Sequence, residues 1–316
     1  MLANTIIIGV IITICTNNWI TIWIGLEVSL LSFIPFIQNK SKVRSESIIK
    51  YFIVQRVAST ILVIRVIYIL IGVSIINEII LTISILIKLG LAPFHNWVLI
   101  IIEGISYTSI LSLLTVLKLP PLVILYQINS RILTIPIIIR ILLRAISGIN
   151  QSSIKKTIGY SSVFNMSLIA TVIRKINIIF IFIMIYTTII SMLMIRLIKN
   201  KVNFINQIIF NEFSPWIKIN FWLNILSLRG FPPTIGFVLK LIIVQNLFNN
   251  NQTTILFVIV LTSILVSIFY IRIAFSSIMN FYIQKKWRVS LIKTPLFLTT
   301  INLLTFPFIL SLVRIS

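Results

Sequence analysis

A short series of residues in this chain could carry protons through an apolar setting: Glu27, Lys88, His95, Lys118 and Lys240. Glu27 lies in WIGLEVSLL. Lys88 and the single histidine flank a proline in KLGLAPFHNWV, Lys118 precedes LPP, and Lys240 follows GFPP. The glutamate and the three lysines fall near the centres of long hydrophobic runs, where a charge costs about 2.5–3.5 kcal/mol on insertion scales. Such groups must pair, face water or do work. A low dielectric favours the neutral amine, and a nearby carboxylate favours the protonated one. At about 4 Å and an effective dielectric of about 20, one carboxylate is worth about 4 kcal/mol. Moving or protonating it can therefore switch a lysine between holding and releasing a proton. The structural alternatives are a static Glu27–Lys88 ion pair, a Lys118 that snorkels from a span end, and a hydrogen-bonded core His95.

The elements that position these residues are membrane spans. The chain is 59% hydrophobic and 10% charged, with a mean hydropathy of +1.12. A bilayer core takes about 20 apolar residues per helix, and runs of that length fill nearly the whole chain. We expect an all-α polytopic membrane protein with a single antiporter-like domain over 1–316. About eleven spans are predicted: Leu2–Cys15, Trp19–Ile37, Ser47–Ile71, Ile75–Ile101, Ile105–Tyr126, Ile132–Ser147, Ser153–Ile173, Ile176–Ile198, Ile217–Phe248, Thr253–Ile278 and Pro295–Val313. As one helix, Ile217–Phe248 would reach about 48 Å against a core of about 30 Å, so it must tilt, protrude or break. GFPP marks its break, and LGLAP marks the same in Ile75–Ile101. Broken helices must be buried in protein or line a wet cavity. Two of them at matching places in two halves point to a transporter site built on inverted repeats; the bland alternative is a pair of proline kinks.

The net charge is +22, and all five acidic residues are Glu. The bases cluster in loops on the side of the N-terminus, among them Lys40, Lys42, Arg44, Lys155, Lys156, Lys285 and Lys286, whereas the other side carries Arg131, Arg174, Lys175 and Arg314. The positive-inside rule puts the N-terminus inside and the C-terminus outside, and the bases suit lipid headgroups rather than nucleic acid. One cysteine, Cys15, excludes an internal disulfide framework or a four-cysteine cluster, and one histidine excludes a bis-histidine haem. The N-terminus lacks the basic region of a signal peptide. No Walker loop, GxGxxG or HExxH is present, so any redox chemistry belongs to another chain. Trp19, Trp23, Trp97 and Trp287 fit interface anchors.

Taken in order, several stretches resemble subunit 2 of mitochondrial respiratory complex I, NADH:ubiquinone oxidoreductase, over almost the full length. WIGLEVSLLSFIPFI is similar to its Glu-bearing span, and KLGLAPFHNWV with EGISYTSILSLLTVLKLPPL to its two central lysine segments. GINQSSIKKTIGYSS, SLRGFPPTIGFVLK and FYIRIAFSS follow the family's later motifs. The resemblance implies a proton-pumping, antiporter-like subunit lacking the first three helices of bacterial relatives. In it Glu27 pairs with Lys88, Lys118 and Lys240 continue the relay, and His95 follows the first break. It also implies no cofactor in this chain, with FMN, iron–sulfur clusters and ubiquinone in other subunits. The implied partners are membrane chains 4 and 4L and lipids such as cardiolipin, in the mitochondrial inner membrane. A stand-alone cation/proton antiporter and a structural scaffold are the competing functions.

The chain departs from the family pattern in YSSVFNMSL, where Asn165 and Leu168 stand for the usual His and Trp, and at Arg229, where the family has a small residue. Arg65, Arg140 and Arg144 also interrupt apolar spans without an obvious acidic partner, while isoleucine abounds and methionine numbers six. Translation with the wrong genetic code accounts for this pattern, since several animal mitochondria read AGA as Ser and ATA as Met. Genuine arginines facing water, headgroups or a partner chain are the rival explanation.

Overall fold

The computed structural model describes residues 2–38, 42–71, 77–91, 93–128, 151–173, 175–210, 215–232 and 234–279. The predicted spans Ile132–Ser147 and Pro295–Val313, together with Arg140, Arg144, Glu212, Trp287 and the C-terminal basic group, lie outside these residues. The described chain is helical apart from turns and one isolated bridge, and it forms two compact units: Met1–Arg140 with Ser162–Ile176, and Ile141–Ser161 with Asn177–Ser316. Among the described residues, five segments are long and apolar enough to cross a membrane: Trp19–Ile37, Lys42–Tyr68, Tyr107–Ile128, Ile176–Asn200 and Thr253–Arg272.

In the first unit, α1 (Leu2–Cys15) and α2 (Trp19–Ile37) have the predicted bounds, because Asn17 and Asn18 interrupt the apolar run and Asn18 caps α2 through its side chain. They cross where Gly9 meets Gly25: a Cβ on Gly9 would lie 2.8 Å from the Ser29 nitrogen, and one on Gly25 2.9 Å from the Gly9 oxygen. Small residues let backbones touch where lipid supplies no hydrophobic drive. Helix α3 (Lys42–Ile71) begins five residues before the expected Ser47. The predicted fourth span divides into α4 (Asn77–Leu89) and α5 (Asn96–Gly104).

The fifth span, expected to be continuous, is also interrupted. It consists of α6 (Tyr107–Leu114), a 3₁₀ turn at Val116–Lys118 and α7 (Leu119–Ile128). Pro120 and Pro121 have no N–H to offer the carbonyls of Val116 and Leu117. The chain tightens instead, and Val116 accepts from the Leu119 N–H. Lys118 sits in that turn.

Helix α8 (Ile154–Thr171) starts in the second unit and enters the first at Ser162. Its start is pinned by an antiparallel bridge in which the Ile154 N–H donates to the Asn203 carbonyl at 3.0 Å. Then follow α9 (Ile176–Asn200), a short α10 (Ile205–Phe210) that the sequence did not signal, α11 (Pro215–Arg229), α12 (Ile235–Asn249) and α13 (Thr253–Met279).

The two helix breaks are one motif used twice. In the first, the Gly90 N–H donates to Ile87 at 3.1 Å and the Leu91 N–H to Leu86 at 2.8 Å. In the second, Gly230 donates to Ser227 at 3.0 Å and Phe231 to Leu226 at 3.1 Å. This is the Schellman pattern, which needs a left-handed residue after the helix. Gly90 and Gly230 supply it with φ of 65° and 66°. A further turn follows in both, Phe94 donating to Leu91 and Thr234 to Phe231. Each unit thus carries the same device for ending a helix inside an apolar region and restarting it.

Candidate functional site

The first unit holds four of the five predicted residues, Glu27, Lys88, His95 and Lys118. Lys88 lies in the last turn of α4, just before the Gly90 break, and is 7% exposed; Lys118 in the 3₁₀ turn is 4% exposed. Both line one small cavity of about 30 Å³, together with Ser29, Tyr51, Gln55 and Trp97. That volume admits a water molecule or two, and the lining offers hydroxyl, amide and amine groups to hold them. Tyr51 is packed between Phe33 (ring centroids 5.2 Å apart) and Trp97 (6.1 Å), which fixes one wall.

Glu27, 8% exposed on α2, stands beside this cavity, whose wall includes its neighbour Leu26. The resemblance implied Lys88 as its partner. The direct ion pair found is with Arg56 on α3, whose Nη1 is 2.9 Å from Glu27 Oε2. Lys88 lies within electrostatic range of both groups. Arg56 was not legible as a site residue: nothing in KYFIVQRVAS distinguishes a cation that reaches inward from one that faces out. Its side chain is 39% exposed and lies 5.1 Å from the Phe52 ring, one turn earlier on α3.

His95 occupies the residue before α5, at the restart of the first broken helix, and is half-buried there. It is not among the residues lining the Lys88–Lys118 cavity. Trp97, read from the sequence as an interface anchor, also lines this cavity. Its indole N–H donates to the Ile87 carbonyl at 3.0 Å, alongside the Gly90 N–H of the break, and its ring lines the cavity. Trp19 is likewise engaged, its ring 4.8 Å from the Arg65 guanidinium. Arg65 is 9% exposed, with Glu78 in electrostatic range but no hydrogen-bond partner at Nε or Nη1.

Lys240 belongs to the second unit. It is half-buried on α12, with its aliphatic stem against Gly230, where a Cβ would lie 2.7 Å from Lys240 Cε. Arg229, the residue before that glycine, is 6% exposed. It donates to the Thr157 carbonyl at 3.4 Å and to the Tyr270 hydroxyl, and lies 4.1 Å from the Tyr270 ring centre. Among the described residues, no carboxylate is in contact with it. Asn165 is 6% exposed and Leu168 1% exposed on α8, so the family's His and Trp positions are core positions here. Among the described residues no cluster of three or more His, Cys, Asp or Glu could hold a metal ion.

Residues 16–266 match the family described as NADH:quinone oxidoreductase/Mrp antiporter, transmembrane. NADH-ubiquinone oxidoreductase chain 2 of Anopheles gambiae is 33% identical over 294 residues, covering 89% of this chain and 86% of that one. The chain 2 of Didelphis virginiana is 33% identical over 303 residues, with the same 89% and 86% coverage. In the solved structure of respiratory complex I from Thermus thermophilus, one chain superposes with a TM-score of 0.80 at 16% identity, over 99% of this chain and 77% of that one. A chain of the Mrp complex from Dietzia superposes with a TM-score of 0.75 at 16% identity, over 86% and 59%. At such low identity these two structures speak for the fold alone: an all-α antiporter-like membrane fold.

Proposed function

Because the chain belongs to the family of NADH-ubiquinone oxidoreductase chain 2, the antiporter-like membrane subunits of complex I, we propose that it moves protons across the membrane in step with redox chemistry in other subunits. The observation that supports this most directly is the cavity that two buried lysines share, beside a buried carboxylate. Two amines at this depth carry a large combined insertion cost, and a water-sized space between them gives a proton somewhere to go. Lys88 takes a proton when Glu27 swings toward it and yields it through the cavity to Lys118 when Glu27 withdraws. Lys240 and His95 are assigned further steps of the same relay.

In this proposal the N-terminus faces the matrix of the mitochondrion and the C-terminus the intermembrane space. FMN, iron–sulfur clusters and ubiquinone are bound by other subunits. The immediate neighbours are membrane chains 4 and 4L, with cardiolipin-type lipids along the basic loops. The test is Lys118→Ala and Lys88→Ala in the intact complex, followed by NADH-driven proton pumping and by assembly on native gels. A lost proton-transfer group predicts about a hundredfold slower coupled turnover with normal assembly. Full pumping in an assembled variant would leave a scaffold as the function.

A further inference from the structure

We propose that Arg56 is a positioning residue of this site: it is a second cationic berth for the Glu27 carboxylate, and exchange of Glu27 between Arg56 and Lys88 gates the proton on Lys88. The inference rests on the relay reading above and adds the element that drives it.

Four observations on neighbouring helices carry it. The Glu27–Arg56 contact is 2.9 Å, so the carboxylate has a direct partner other than Lys88. Both Glu27 oxygens are buried, and neither accepts a well-oriented hydrogen bond among the described residues. Among the described residues the Arg56 guanidinium is the direct partner of this carboxylate, and no further side-chain or backbone donor holds it in place. The Arg56 side chain is 39% exposed, with its stem along Phe52, so neighbouring helices do not enclose it and it has room to move off the carboxylate. Finally, Gln55, the residue before Arg56 on α3, lines the cavity with Lys88. Helix α3 thus presents one polar group to the lysine and the next to the glutamate. Two cations within electrostatic range of one carboxylate compete for it. When Arg56 holds Glu27, Lys88 loses its counter-charge and releases its proton toward the cavity; when Lys88 holds Glu27, the proton stays.

The experiment uses the intact complex carrying Arg56→Gln, Arg56→Lys, Glu27→Gln, the double variant Arg56→Gln/Glu27→Gln, and Lys88→Ala. The readouts are NADH oxidation rate, pumping rate and assembly. Arg56→Gln leaves Glu27 on Lys88 and should slow coupled turnover about tenfold. Arg56→Lys should restore most of it, because the berth needs a charge. In the Glu27→Gln background Arg56→Gln should add nothing further. Wild-type turnover in Arg56→Gln overturns the proposal, as do equal damage from Arg56→Lys and Arg56→Gln, additive effects in the double variant, or failure of both Arg56 variants to assemble. A peptide mass showing a residue other than arginine at position 56 overturns it as well. If Lys88→Ala pumps normally, the relay itself falls, whatever Arg56 does.

Discussion

Gly236→Ala puts the second broken helix under direct load. Gly236 is the second residue of α12, and its backbone passes so close to the end of α11 that a Cβ would sit 1.6 Å from the Ser227 carbonyl oxygen and 3.4 Å from Gly230 Cα. Nonbonded heavy atoms need about 3.5 Å, so the two half-helices would have to part by roughly 2 Å. The obstacle is backbone, with no flexible side chain to swing away. The cost therefore belongs at the upper end of overpacking penalties, about 3 kcal/mol. At about 2–4 °C per kcal/mol, the apparent Tm of the subunit within the complex should fall by about 6 °C or more. Lys240 lies one turn after Gly236, with its stem against Gly230, so it moves too. Misplacement by about 1 Å can cost a hundredfold in rate, and NADH-driven pumping should fall beyond what the stability loss explains. The assays are thermal unfolding of the assembled complex and pumping in proteoliposomes. A Gly236→Ala complex with unchanged Tm and unchanged pumping would refute the close packing of α11 on α12 and the positioning of Lys240 that depends on it.

Trp97→Phe keeps an aromatic ring but removes the indole N–H that donates to the Ile87 carbonyl beside the Gly90 N–H. A lost hydrogen bond costs about 0.5–1.5 kcal/mol; the assembled complex should melt slightly lower, and a variant as stable as wild type would count against the capping role. Codon reassignment, proposed for Arg65, Arg140, Arg144 and Arg229, predicts serine masses in peptides spanning those positions. Among the described residues the structure fits this at Arg65, whose Nε and Nη1 have no hydrogen-bond partner, and at Arg229, which lines a pocket of about 10 Å³ that contains no carboxylate. Arginine masses at these sites would end the proposal.

Much of the framework was legible residue by residue. Helices α1 and α2 could be bounded because polar residues interrupt the apolar run at Asn17–Asn18 and after Ile37. Both breaks could be found because glycine and proline terminate helices by local geometry, which needs no knowledge of the fold. The interruption at Val116–Lys118 was missed: two prolines opening α7 look like an ordinary helix start, and only the carbonyls left behind reveal the tightened turn. The part Trp97 plays at the break was not legible for a related reason. An indole between polar and apolar residues suits a membrane interface equally well, and only the fold shows that its N–H goes to the Ile87 carbonyl at the break.

By itself, the sequence determined that this is an all-α membrane chain with two broken helices and a few buried ionisable groups, since hydropathy, glycine conformation and proline chemistry are properties of short segments. Only the tertiary structure decided which of those groups share a site. Lys88 and Lys118, thirty positions apart, line one cavity because α4 and the 3₁₀ turn meet there. Glu27 finds Arg56 because α2 packs on α3, and Lys240 falls in the other unit. Contacts between distant segments depend on how helices rotate and cross, and a linear pattern of apolar residues leaves that rotation open.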